Sequence, residues 1–119
     1  MKIWAKYQER IIPEKLERVK NGPEYVEAII PFMCELVEGR SKEIEKATGI
    51  KEIEYSHVLK LNYENKEPII FKKDDRIYIY DKEYRVQETT ETIPDKWKYK
   101  ASKSRALYER YVEYVVFIK

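Results

Sequence analysis

The stretch IIFKKDDRIYIYDKEYRVQ, residues 69–87, sets the tightest limit on the fold. Ile77 and Ile79 alternate with polar residues ahead of a turn at Tyr80 to Glu83, and Tyr84 and Val86 resume the alternation after it. A period of two on both sides of a short turn marks an antiparallel hairpin with one buried face, inward at these four positions. A second alternation puts Ile53, Tyr55, His57, Leu59, Leu61 and Tyr63 on one face of a long strand, with Glu52, Glu54, Ser56 and Lys60 on the other. The closing run YVEYVVFIK is apolar, β-branched and aromatic, as a central strand requires. With no long amphipathic helix in sight, the expected fold is mainly β. It is a small β-barrel or sandwich of antiparallel hairpins, with a long loop and at most one or two short helices.

The remaining segments carry local signals. KIWAKYQERII is an extended segment with Ile3, Tyr7 and Ile11 on one face, and PEKLERVKNG is a short helix opened by Pro13 and stopped by Asn21-Gly22. Pro23 and Pro31 bracket EYVEAII, and FMCELVEG ends at Gly39, which predicts two short strands separated by a kink. SKEIEKA is either one turn of helix capped by Ser41 or an exposed strand with Ile44 inward, and Thr48-Gly49 favours a hairpin turn. Asn62 to Pro68 is a polar turn region. Residues 88–108, with Pro94, few aliphatics and many cations, read as a long loop, a length that is usually functional or disordered.

A length of 119 residues suits one domain spanning 1–119. The charged fraction, 39%, stands well above the usual value of about 25%, and eleven tyrosines sit among the hydrophobic residues, so the core should be small and rimmed with tyrosine. Lys and Arg total 24 against 22 for Asp and Glu, which is not the excess of a dedicated nucleic-acid binder, so any charge argument must be local. No apolar run is long enough to span a bilayer or to serve as a secretory signal. The expectation is a soluble protein made in a cytoplasm, with no membrane partner. A single cysteine, Cys34, excludes an internal disulfide and reads as a small buried hydrophobe.

Little in the chain suggests catalysis. One His and one Cys are too few for a zinc site of His and Cys alone. His57 lies on the apolar face of its strand, where it reads as a satisfied core or rim residue. Asp74 and Asp75 are adjacent, so in an extended chain their carboxylates point apart, and a turn entering the strand is the better reading than a cation site or acid pair. Gly22, Gly39 and Gly49 are too scattered for a phosphate loop. The chain is therefore expected to be no enzyme, with no catalytic residue, cofactor or metal. The most function-like feature is DKWKYKASKSRALYER, where Lys96, Lys98, Lys100, Lys103 and Arg105 interleave with Trp97 and Tyr99. Such cations attract phosphates, and the rings offer surfaces for bases or for a partner protein. The bland alternative is a solvated loop with Trp97 tucked onto the barrel.

From residue 34 onward, the order CELVEGRSKEIEKATGIKEIEYSHVLKL, then FKKDDRIYIYDKEYRV, then YVEYVVFIK resembles the head-closure (head-tail connector, or stopper) proteins of tailed bacteriophages. The resemblance covers about two thirds of the chain and rests on pattern and order. Two departures stand out: Asp74 occupies a position where that family commonly has Gly, and Asp81-Lys82 stands where Asp-Gly is usual. The resemblance implies a structural protein that closes the DNA-filled head and offers a tail-docking interface, located in the host cytoplasm during assembly and then in the virion neck. Its partners would be further copies in a ring, portal-adaptor and tail proteins, and packaged DNA in non-specific contact with the loop from Glu88 to Tyr108. The alternatives are a small SH3-like or OB-like nucleic-acid-binding module, and a related phage minor capsid or tail-completion protein.

Overall fold

The computed structural model describes residues 1–11, 24–50, 52–62, 69–93 and 95–119. Strands β1 (Lys2–Ile11), β2 (Glu24–Glu38), β3 (His57–Leu61), β4 (Arg76–Ile79), β5 (Lys82–Thr92) and β6 (Glu113–Ile118) are joined by helices α1 (Lys42–Thr48), α2 (Asp95–Ala101) and α3 (Arg105–Tyr111). The strands close into an antiparallel barrel in the order β1-β2-β3-β6-β5-β4, with β4 returning to β1. Of the two layouts open to the sequence, the barrel is the one formed. The short helix expected over residues 13–22 and the turn at 63–68 lie outside the described residues.

Alternation fills the barrel. Ile3, Ala5 and Tyr7 of β1, Phe32, Cys34 and Leu36 of β2, Leu59 and Leu61 of β3, Ile77 and Ile79 of β4, Tyr84 and Val86 of β5, and Val116 and Ile118 of β6 share one interior cluster. Phe71, edge-on to both Tyr7 and Phe32, joins the same cluster. The four inward positions expected of the 69–87 hairpin are all buried. Cys34 is buried among apolar neighbours, and that burial pushes its thiol up to about 11.

β6 is buried on both faces, and α1 is the reason. Val115 and Phe117 point outward, where they meet Val58, Tyr55 and Ile44 under α1. The ambiguous segment at 41–48 is therefore helix: Ser41 caps it by accepting from the Ile44 amide, and Gly49, at φ 74, ends it. Arg40 and Tyr55 both donate to Glu45 Oε1 and hold that carboxyl below its usual range. Their contribution is present above the ordinary Glu range and fades as pH falls through the lowered value. The strand expected from Ile53 is correspondingly short, because Ile53 and Tyr55 turn toward α1 before pairing starts at His57. Val58, on the supposedly polar face, is fully buried there.

Three further expectations are corrected. Pro31 does not divide two strands but lies within the continuous β2; on its far side β2 pairs with β3 only over Glu35 to Glu38, so the missing N–H meets no ladder. The stretch 88–108 is not a loop: β5 runs on to Thr92 against β6, and α2 and α3 follow, making three helices. The hairpin turn is centred on Tyr80-Asp81, since Ile79 pairs with Lys82. Both turn residues take positive φ, 48 and 66, as a two-residue primed turn demands.

One buried carboxylate ties these parts together. Asp75 is the only charged residue among the fully buried described side chains, at 0% exposure. Its Oδ2 accepts from the Tyr7 hydroxyl and the Lys72 amide, and its Oδ1 from the Arg10 amide, each at 2.7 Å. The backbone around it pairs with β5, where Val86 both donates to the Asp75 carbonyl and accepts from the Asp74 amide. Beside it, β1 and β2 change register: Gln8 faces Ile29 but Arg10 faces Tyr25, so Glu9 alone opposes Val26, Glu27 and Ala28. Such a bulge bends the hairpin, which explains why Ile11 emerges into solvent.

Tyr80 is a bulky residue at φ 48 with its side chain 74% exposed, so nothing in the fold repays the conformation. Tyr80→Asn is expected to raise stability by about 1 kcal/mol in urea unfolding. An equal loss would show that the ring supports the hairpin.

Candidate interaction surface

The basic, aromatic segment singled out in the sequence forms a helical hairpin at the end of β5 and β6. Its composition of Lys, Arg, Ala and Leu favours helix, and Ala101 and Val112 supply the buried points that anchor it. Ser104 caps α3 by accepting from the Leu107 amide, and the Val112 amide closes the other end by donating to Tyr108 O. The hairpin is tied back to the strands where the Tyr108 hydroxyl donates to Glu91 Oε2 at 2.8 Å, a bond that raises the tyrosine above its ordinary range.

Trp97 is covered, though not by the barrel. Its ring stacks on Tyr111 of α3 with centroids 4.1 Å apart and planes 6° from parallel. Cations surround this stack: Lys96 and Lys100 lie 5.6 Å from the Trp97 ring, and Arg110 lies 5.6 Å from that of Tyr111. Lys96 and Lys100 are one helical turn apart, so both reach the same ring. Tyr111 and Arg110 were not singled out from the sequence. The signal that pointed to them was Trp97 itself, a large ring needing a surface.

The expected set therefore divides. Lys96, Trp97 and Lys100 form one group. Tyr99 and Lys103 form another, in which the ammonium donates to the phenol at 2.7 Å and lies 4.5 Å from the ring centroid. Lys98 and Arg105 are exposed on α2 and α3. Tyr99 is 71% exposed, whereas Trp97 has given one face to Tyr111. Chemically, the hairpin offers cations and one exposed phenol ring partnered by Lys103, groups suited to a polyanion or to an acidic protein surface.

Elsewhere the chemistry is sparse. The His57 Nδ1 lies 2.8 Å from Ser56 Oγ, and the imidazole meets the Tyr84 ring edge-on at 4.9 Å, as a satisfied rim histidine does. Asp74 and Asp75 serve the turn: Asp74 takes φ 70, where glycine would fit most easily, and pairs with Arg10 at 3.2 Å. No group of three or more His, Cys, Asp and Glu side chains lies together among the described residues, and none of their helices is long and apolar enough to cross a membrane.

Comparison with known protein families, with curated proteins and with solved structures finds no match.

The two aromatic residues of α2 should behave differently. Trp97→Ala is expected to cost about 2 kcal/mol, losing half-buried area and the stack, whereas Tyr99→Ala should cost under about 0.5 kcal/mol. Urea unfolding of both variants checks this, and equal costs would contradict the division of roles.

Proposed function

We propose that the chain is a non-enzymatic assembly protein of the phage head-closure type, acting in the virion neck by surface contact. In this reading copies form a ring between portal-adaptor and tail proteins, and the α2–α3 hairpin faces packaged DNA or an acidic partner surface. The observation that carries it is the hairpin itself, an exposed cationic and aromatic element on a barrel whose interior is filled by side chains. Function on such a molecule belongs to its outside. The positive φ at Asp74 adds support, because a backbone of that shape is what a family glycine at this position would serve.

A second reading, a nucleic-acid-binding module, draws on Tyr99, whose open ring beside Lys103 is a stacking platform. The two readings separate by experiment. If the connector reading holds, the protein sediments with DNA-filled particles, an antibody labels the head–tail junction, and neutralising Lys96, Lys98, Lys100, Lys103 and Arg105 leaves particles that lose DNA. Absence from every particle would end it. The module reading expects the isolated protein to bind a short single-stranded oligonucleotide, with log K falling by about 0.7 per phosphate contact for each unit of log salt. The connector reading expects weak binding or none from the isolated chain.

A further inference from the structure

A second surface, away from the helical hairpin, lies on the outer face of β1 and β2. Because Ile3 and Ala5 point into the barrel, Lys2 and Trp4 point out; because Phe32 and Cys34 point in, Met33 and Glu35 point out. Trp4 pairs directly with Met33, and Lys2 with Glu35. Extending the Lys6 to Tyr78 register by two residues brings the Tyr80 turn level with Trp4 on its other side. The result is a row of Met33, Trp4 and Tyr80 across the barrel wall, 51%, 64% and 74% exposed, with Ile29 further along β2 at 49%.

Nothing inside the described chain accounts for this row. The side chains of Trp4 and Tyr80 make no hydrogen bond or ring contact with any described residue. Tyr80 also holds a backbone conformation that Asn or Gly would adopt more readily. The row leaves on the order of 500 Å² of largely apolar surface in water, as much as the largest patch of a typical monomer. Buried on both sides of a contact, that area reaches about 1,000 Å², the lower bound for a specific protein interface.

We infer that this face is the interface of a two-fold dimer of the chain. The charges beside the row choose the occupant. A two-fold axis lying in the interface along the β1–β2 seam lays β1 of one copy over β2 of the other, level by level. Trp4 then meets the other copy's Met33, a favourable sulfur–aromatic pairing, and Lys2 meets Glu35, each contact occurring twice. The patch is complementary to itself in charge, with the two sheets packed close to aligned. The contact is independent of the neck reading, because a closed ring of more than two copies uses different surfaces on its two sides.

Sedimentation equilibrium at about 1–200 µM tests it, on the wild type and on Trp4→Lys, Lys2→Glu, Glu35→Lys and the Lys2→Glu/Glu35→Lys double variant. The wild type is expected to show a reversible monomer–dimer equilibrium. Trp4→Lys should weaken it by about tenfold or more, and each single charge reversal by about fivefold. The double reversal should bring association back to within about twofold of wild type. Thermal melts confirm folding; if Trp4→Lys melts early, Met33→Lys carries the same expectation. A monomer across the whole range, a dimer indifferent to these substitutions, or a double variant as weak as the singles combined would each overturn the inference. A monomer that still travels with particles would do so without touching the neck reading.

Discussion

The buried carboxylate of Asp75 ties β1 to the segment entering β4. A carboxylate removed from water needs donors for its oxygens, and here they come from three places in the chain: the Tyr7 hydroxyl, the Arg10 amide and the Lys72 amide. These residues belong to β1 and to the segment leading into β4, whose direct pairing covers only Lys6 to Gln8 against Arg76 to Tyr78. The barrel closes at this short seam, and Asp75 fastens it from within. Tyr25 of β2 adds to the same knot by donating to the Asp74 carbonyl at 2.8 Å.

Much of the barrel was legible from spacing alone. The inward residues of the 69–87 hairpin, the buried Cys34 and the central β6 all follow from period two or from continuous apolarity, signals that one strand carries by itself. What escaped depends on partners distant in sequence. Adjacent aspartates look alike in a sequence, and only the positive φ at Asp74 separates them, sending one outward to Arg10 and the other into the core. Seven-residue helices are too short to display a helical period, so α2 and α3 looked like loop until Ala101 and Val112 found burial and Trp97 found Tyr111. Val58 was hidden for the same reason, since a sheet face becomes apolar only where a helix covers it.

The distribution of chemistry over the molecule has a consistent logic. Among the described residues the interior is hydrocarbon and aromatic ring, and its one charge serves the fold. The exposed rings among the described residues occupy two separate outer places, Tyr99 and Tyr108 on the cationic α2–α3 hairpin and Trp4 and Tyr80 at the β1–β2 wall. The first suits long-range attraction of negative charge, which salt screens; the second suits short-range packing, which salt affects less. Contacts made through the two surfaces would therefore respond to different solution conditions.

Asp75 holds the seam of the barrel closed. Native-state hydrogen exchange at the Arg10 and Lys72 amides reads it directly, because both donate to that one side chain. In the wild type both amides should exchange at rates close to those of the core strands. In Asp75→Ala both should lose protection together, alongside a global loss of about 3 kcal/mol, while the α1-covered strands β3 and β6 keep their relative order. Arg10 and Lys72 amides that remain as protected in Asp75→Ala as in the wild type would contradict the account.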